Sequence, residues 1–288
     1  MPDKHHPFIS SSWLDNCSDG GFVFNDICGL CKTSLKGMQV VITPPWALDC
    51  GLQLTNYNSA NYSKFIESLN TRPEPLLVID IPPCSEDKAI SFSTAVVKQN
   101  TPTNFRVQWK HTRILDLPAT LPSNRKKQVS KSQREGISCE LVSDWSNVHR
   151  LHDHTRSRKD LANNSTQLGK LLNAINSESY SFAIEAKDSS GDCISSGGFV
   201  IENKRCIYSF GGQKRGHLSA IATVAMLHFA MEVALTKGAE KFDFGGSSDP
   251  GVDRFYKEFG AHQIPKARLI RSSWWLTPIL KILRPDLF

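Results

Sequence analysis

The chain has 288 residues, enough for one large domain or two of ordinary size, with 40% hydrophobic and 22% charged residues. No run of about 18 apolar residues lacks polar interruptions, so no membrane span is expected. MPDKHHPFISSSW has no apolar core of a secretory signal, which leaves a cytoplasmic protein as the expectation. The net charge of +6 suits an anionic partner such as a cofactor phosphate, a nucleotide or a nucleic acid, and equally suits none. The eight cysteines are Cys17, Cys28, Cys31, Cys50, Cys84, Cys139, Cys193 and Cys206. Cys28 and Cys31 form the one CxxC; without a second pair a four-cysteine zinc site is not supported, and free thiols are expected.

In chain order, FVFND reads as a strand and CGLCK as a turn or short helix. MQVVIT (Met38 to Thr43) is a β-branched strand stopped by Pro44-Pro45. PPWALDCGLQL follows, with Trp46 either in a packed loop or facing a substrate. Ser59 to Leu69 predicts a helix with Tyr62, Phe65, Ile66 and Leu69 on one side. LLVIDIP (Leu76 to Pro82) is apolar throughout, as in a strand buried on both faces. Ser85, with Glu86 and Asp87 behind it, predicts a helix to about Gln99. Phe105 to Leu117 alternates like a strand. The first 117 residues thus form an α/β lobe.

Pro118 to Gly136 is a basic helix, with Arg125, Lys126, Lys127, Lys131 and Arg134 against Glu135. Ile137 to Ser143 is a strand. DWSNVHRLHDHTRSRKDL is a helix capped by Ser143 or Asp144, and Ser165 to Asn176 is a second helix. His149, His152 and His154 are spaced three and two apart, which does not put all three on one helical face, so no metal is expected. YSFAIEAKD, CISSGGFVIENK and RCIYSFGG are three successive strands. From Ala220 to Leu235 a helix is apolar nearly all round and must be buried, with its N-terminus expected inside the protein. Gln213 to Leu218 form the turn before it, and Ser219 is its candidate cap. In KFDFGG, Phe242 and Phe244 share one strand face and Asp243 points to the other. Asp243 has three candidate roles: orienting an acceptor amine, joining a proton relay, or anchoring a backbone turn. SSDPGVDRFYKEFGA starts a short helix. ARLIRSSWW is a closing strand, and LTPILKILRPDLF is an amphipathic helix packed on the body or, less favoured, touching a membrane surface.

Strand, glycine-bearing turn, apolar helix, strand and FYKEFGA, over Cys206 to Gly260, resemble the acyl-CoA N-acyltransferase (GNAT) superfamily. Within it the chain looks most like the branch of the Fem-type peptidoglycan aminoacyltransferases, most strongly over Leu117 to His262. The resemblance implies an α/β fold of tandem GNAT-like lobes, with mixed, mostly antiparallel sheets flanked by helices. It implies a degenerate lobe at 1–117 and an acyltransferase lobe at 118–288.

In such enzymes the turn before the long helix cradles the pyrophosphate of coenzyme A. Here that implies Phe210, Gly211, Gly212, Gln213, Lys214, Arg215, Gly216, His217 and Ser219. Gln213 and Gly216 match the pattern, and Leu218 stands where a small residue is usual. A backbone N–H near Phe210 to Gly212 would polarise a thioester carbonyl. Tyr256, four residues before Gly260, would protonate the departing thiolate, and Asp243 would assist. The Fem pattern Phe-Lys-x-x-Phe-Gly keeps Phe255, Phe259 and Gly260 here, but Lys257 is shifted by one, which favours acyl-CoA over aminoacyl-tRNA as donor. Trp46, Arg156, Lys159 and Lys257 would line the acceptor side.

The implied activity is N-acyl transfer from acyl-CoA, acetyl-CoA first, to an amine of the amino-sugar, cell-envelope or polysaccharide-precursor kind. The alternatives are an aminoacyl-tRNA-dependent transferase, supported by the basic helix, and a non-catalytic binding protein on the same fold, supported by Leu218.

Overall fold

The computed structural model describes residues 6–17, 20–85, 91–159, 164–246 and 249–287. The chain forms two compact units, Met1–Thr112 with Ile264–Phe288, and Arg113–Gln263.

The first unit opens with a short helix, α1 (Ser11–Leu14), capped by the Ser10 hydroxyl. Strands β1 (Gly21–Phe24), β2 (Cys28–Leu35) and β3 (Met38–Ile42) then pair antiparallel in sequence. CGLCK, expected as a turn or helix, is the start of β2. Strands on both sides take up its backbone groups, and that pairing overrides a weak local preference. Lys36 and Gly37 both have positive φ and close a two-residue hairpin between β2 and β3.

Helix α2 (Ser59–Asn70), capped by Asn58, buries Tyr62, Phe65, Ile66 and Leu69 as its spacing predicts. It carries the chain across to β4 (Leu76–Asp80), which is parallel to β3. Helix α3 (Thr94–Asn100) starts later than expected because Ser93, not Ser85, caps it; Glu86 and Asp87 lie outside the described residues. The chain leaves this unit along β5 (Arg106–Asp116) and returns along β11 (His262–Ser272), which pairs antiparallel with β4. That pairing draws residues 264–288, read with the second lobe from sequence, into the first unit. Arg268 binds the buried Asp80 through two hydrogen bonds of 3.0 and 2.7 Å. Burial alone would raise the Asp80 pKa, but Lys266 and Arg268 outweigh it and hold it below the ordinary value.

The second unit runs through α4 (Ser123–Arg134), β6 (Ser138–Val142), α5 (Ser146–Arg158), α6 (Ser165–Ile175), β7 (Ser181–Lys187), β8 (Cys193–Glu202), β9 (Arg205–Gln213), α7 (Ser219–Thr236), β10 (Lys241–Asp243) and α8 (Pro250–Lys257). Helix α5 was expected to reach Leu161; it ends at Arg158, and residues 160–163 lie outside the described residues. The strand order is β5-β10-β9-β8-β7-β6. In this unit, among the described residues, only β9 and β10 pair in parallel, and α7 supplies the crossover that a parallel pair requires. Among the described residues α7 is the one helix long and apolar enough to cross a membrane. It lies in the core, where Val224, Met226, Leu227 and Met231 pack with Phe182, Phe199 and Phe242. All eight cysteines are free, and burial pushes the Cys139 thiol up to about 11.

Candidate active site

Strands β9 and β10 pair only at Lys241↔Arg205, Phe242↔Cys206 and Asp243↔Ile207. Beyond that point the chain after β10 stays with β5: the Phe244 N–H donates to Arg113 O at 2.9 Å, and Gly245 O accepts from the Arg113 N–H at 3.4 Å. Strand β9 runs on to Gln213 paired with β8 and no longer with β10, so the two central strands part. Gly245 turns the chain at φ +75°, a conformation that suits glycine. Asp243 fixes that turn by accepting the Gly245 N–H at 2.8 Å, and its other oxygen meets Arg205 at 3.2 Å. Of the three roles considered for Asp243, the geometry matches the turn anchor, since both carboxylate oxygens are held.

The parted stretch of β9 is irregular on its other side too. Phe199 faces Tyr208 and Gly198 faces Phe210, which leaves Ser209 as an extra residue in a β-bulge. The Gly211 N–H donates to His152 Nδ1 at 3.4 Å. A Cβ at Gly212 would stand 2.1 Å from Leu151 O, so the α5 backbone presses directly on the strand. A Cβ at Gly211 would stand 1.7 Å from the Tyr208 hydroxyl, which lies over the strand on its own side. Burial, then the Arg156 charge, bring the His152 pKa down to about 4. The ring is therefore neutral at neutral pH. Because Nδ1 accepts, its proton sits on Nε2. Nε2, Thr155 Oγ1 and Ser209 Oγ are buried with no partner among the described residues.

At the start of α7, Gln213 accepts from the Thr223 hydroxyl and Lys214 pairs with Asp192 at 3.2 Å. Ser219 does not cap the helix: its hydroxyl donates back to Lys214 O, and Leu218 takes the cap position without a side-chain bond. The expectation of an N-terminus inside the protein is corrected. Arg215, Gly216, His217 and Ala220 are exposed, because the run of buried apolar positions begins only at Ile221. The result is an uncapped, solvent-facing helix start, where a positive dipole end meets water.

Tyr256 sits on α8 with its ring stacked on Phe244 at 5.1 Å. Burial, then the Asp243 charge, raise its pKa well above the ordinary value, so the phenol keeps its proton. Two clamps hold α8 in place. Arg113 binds Asp253 through bonds of 2.8 and 2.6 Å, and Arg125 lies between the Phe255 and Phe259 rings at 4.4 and 4.5 Å. Arg125, one of the cations of the basic helix, is therefore buried. Lys159 bonds Asp249, the α8 cap, at 2.7 Å, and Lys257 is exposed. Arg156 stands one turn after His152. Trp46 belongs to the first unit, half-buried at φ +61° in a turn after Pro44. His149 is taken up by Asp153 and Ser165.

Sequence reasoning missed Tyr208 and weighed His152 only as a metal ligand. The signal for Tyr208 was available: an aromatic three residues before a Gly-Gly pair at the end of a strand.

This is a GNAT-like fold of the kind found in Fem-type transferases. The crystal structure of FemX is similar over 92% of this chain and 93% of that chain, at 12% identity and a TM-score of 0.66. L-PGS from Bacillus licheniformis is similar over 96% and 92%, at 13% identity and 0.60. A conserved protein of unknown function from Bacteroides thetaiotaomicron is similar over 94% and 93%, at 11% identity and 0.58. No family model matches the sequence, and no curated protein matches it.

Proposed function

We propose that the second unit transfers an acyl group from acyl-CoA to an amine. The observation that carries this reading is the parting of β9 from β10 beyond Ile207, next to an uncapped helix start. The gap suits an extended thioester arm, and the α7 N-terminus suits its diphosphate. Leu218 takes the cap position and the Ser219 N–H is bonded to Gly216 O at 3.3 Å, which leaves the Ala220 and Ile221 N–H groups for the diphosphate. The Gly211 N–H would polarise the thioester carbonyl in exchange for its long bond to His152. The amine nitrogen attacks the carbonyl carbon and gives up its extra proton to water, the C–S bond breaks, and Tyr256 gives its proton to the leaving sulfur and regains one from water. Arg156 lies beside His152, where it would meet the acceptor.

A thermal-shift experiment tests this. At about 100 times its Kd, a ligand that binds only the folded state adds about 2.7 kcal/mol. Acetyl-CoA or a longer acyl-CoA is expected to raise the melting temperature. No shift with any acyl-CoA overturns the reading.

One observation favours a second reading, transfer from aminoacyl-tRNA. Lys126, Lys127, Lys131 and Arg134 are exposed on α4 and form no ion pair among the described residues. Such a cationic face suits a phosphate backbone. FemX and L-PGS are transferases of this fold, which supports group transfer without choosing the donor.

A further inference from the structure

The C-terminal segment has two apolar sides, and among the described residues only one of them is covered. Helix α9 (Thr277–Leu283) rests on the first unit through Leu280, with Leu276 just before it, against Val40, Leu76 and Ile270. At 100° per residue Ile279 and Ile282 fall on another side of the helix. Their exposures are 45% and 81%, and Trp274 and Trp275 just before the helix are 87% and 45% exposed. Single exposed apolar residues are unremarkable, but four large ones within nine residues form a patch.

The uncompensated charge beside this patch is positive. Of the five cations from Ile264 to Leu287, Lys266 and Arg268 pair with Asp80, Arg271 bonds backbone carbonyls and Arg284 pairs with Asp286, which leaves Lys281 with no ion pair among the described residues. Asp286 is taken up by Arg284 through two bonds of 2.8 Å. Lys281 is exposed on α9 itself. Lys36 is exposed at the tip of the β2–β3 hairpin, whose Leu35 and Met38 pack on the same cluster as Leu276 and Leu280. Tryptophan with an apolar body and a polar N–H, next to isoleucine and flanked by lysine, is the chemistry of a membrane–water interface. A second copy docking symmetrically would bring the same lysines face to face, which disfavours self-association.

We propose that Trp274, Trp275, Ile279 and Ile282 dock the first unit onto an anionic lipid surface, with Lys281 and Lys36 at the headgroups. The patch seats the protein on the membrane face without crossing it. This inference does not depend on the acyl-transfer reading.

Co-sedimentation of the full chain with vesicles tests it. One vesicle set is phosphatidylcholine with phosphatidylglycerol, and the other is phosphatidylcholine alone. The expected result is binding to the anionic vesicles that weakens as salt rises, with a blue shift of tryptophan emission. Ile282→Asp is expected to lower the partition at least about tenfold. Trp274→Ser is expected to remove most of the emission shift. Both side chains are exposed, so unchanged melting temperatures will show that the variants stay folded. Equal sedimentation with and without anionic vesicles overturns the proposal. So does binding that both variants retain. A dimer in sedimentation velocity that Ile282→Asp dissolves, without vesicle binding, assigns the patch to a second copy and also overturns it.

Discussion

Gly212→Ala is expected to destabilise the protein by about 3 kcal/mol, the upper part of the range for overpacking. The added methyl would meet Leu151 O at 2.1 Å and Leu151 C at 2.2 Å. Both are backbone atoms inside α5, so neither can swing aside. Either the helix lifts from the strand or the strand bends. Gly211→Ala makes the informative contrast. Its methyl would meet the Tyr208 hydroxyl at 1.7 Å, the end of a side chain rather than helix backbone, on a ring stacked on Phe199. The costs should therefore differ in a fixed order, with Gly212 the larger. Urea unfolding at constant slope measures both. Equal, small losses would mean that α5 does not press on β9 as described.

The second large effect is a pH dependence. His152 has a folded pKa of about 4, against about 6.5 for an unperturbed histidine. The unfolded chain therefore binds the proton more readily than the folded one. Stability from this group is fully present above about pH 6.5 and is lost as pH falls toward about 4. Between pH 7 and about 4.5 the loss should be about 2 kcal/mol. His152→Gln keeps an acceptor for the Gly211 N–H and does not titrate. Its stability should match the wild type near neutral pH and fall less steeply in acid. Unfolding curves at several pH values for both proteins measure the difference. If the variant follows the wild type throughout, His152 is not held neutral by its surroundings.

Much of this arrangement could be read before the fold was known. The α7 helix announced itself through sixteen mostly apolar residues, from Ala220 to Leu235. KFDFGG announced a strand that ends abruptly, since paired glycines free the backbone to leave a sheet. The placement of residues 264–288 was not legible, because the partner of β11 is β4, almost two hundred residues earlier, and nothing local specifies so distant a pairing. CGLCK was misread for a related reason: cysteine and glycine prefer no strand, and only the strands on either side of β2 impose one.

The site was half legible. Tyr256 could be placed by its distance from Gly260, and the turn at Gln213–Ser219 by its position before an apolar helix. The bulge at Ser209 left no mark, since a bulge is a mismatch between two strands and neither sequence contains it alone. The role of His152 was hidden by its setting. Among three histidines within six residues it was weighed and set aside as a metal ligand, whereas its ring accepts the Gly211 N–H of β9. Arg125 stood beside Lys126 and Lys127 as one more cation of the basic helix, with nothing to set it apart. The Phe255 and Phe259 rings make it a packing residue, by the flat geometry that lysine lacks.

Amide spectra of isotope-labelled protein titrated with acetyl-CoA test the central claim most directly. The account predicts saturable shifts at the Gly211 N–H and at the first amides of α7, Ala220 and Ile221, with the His152 ring signal moving in step as its bond to Gly211 is exchanged. Amides of β9 and α7 that stay still at saturating acetyl-CoA, or shifts confined to α4, would contradict it.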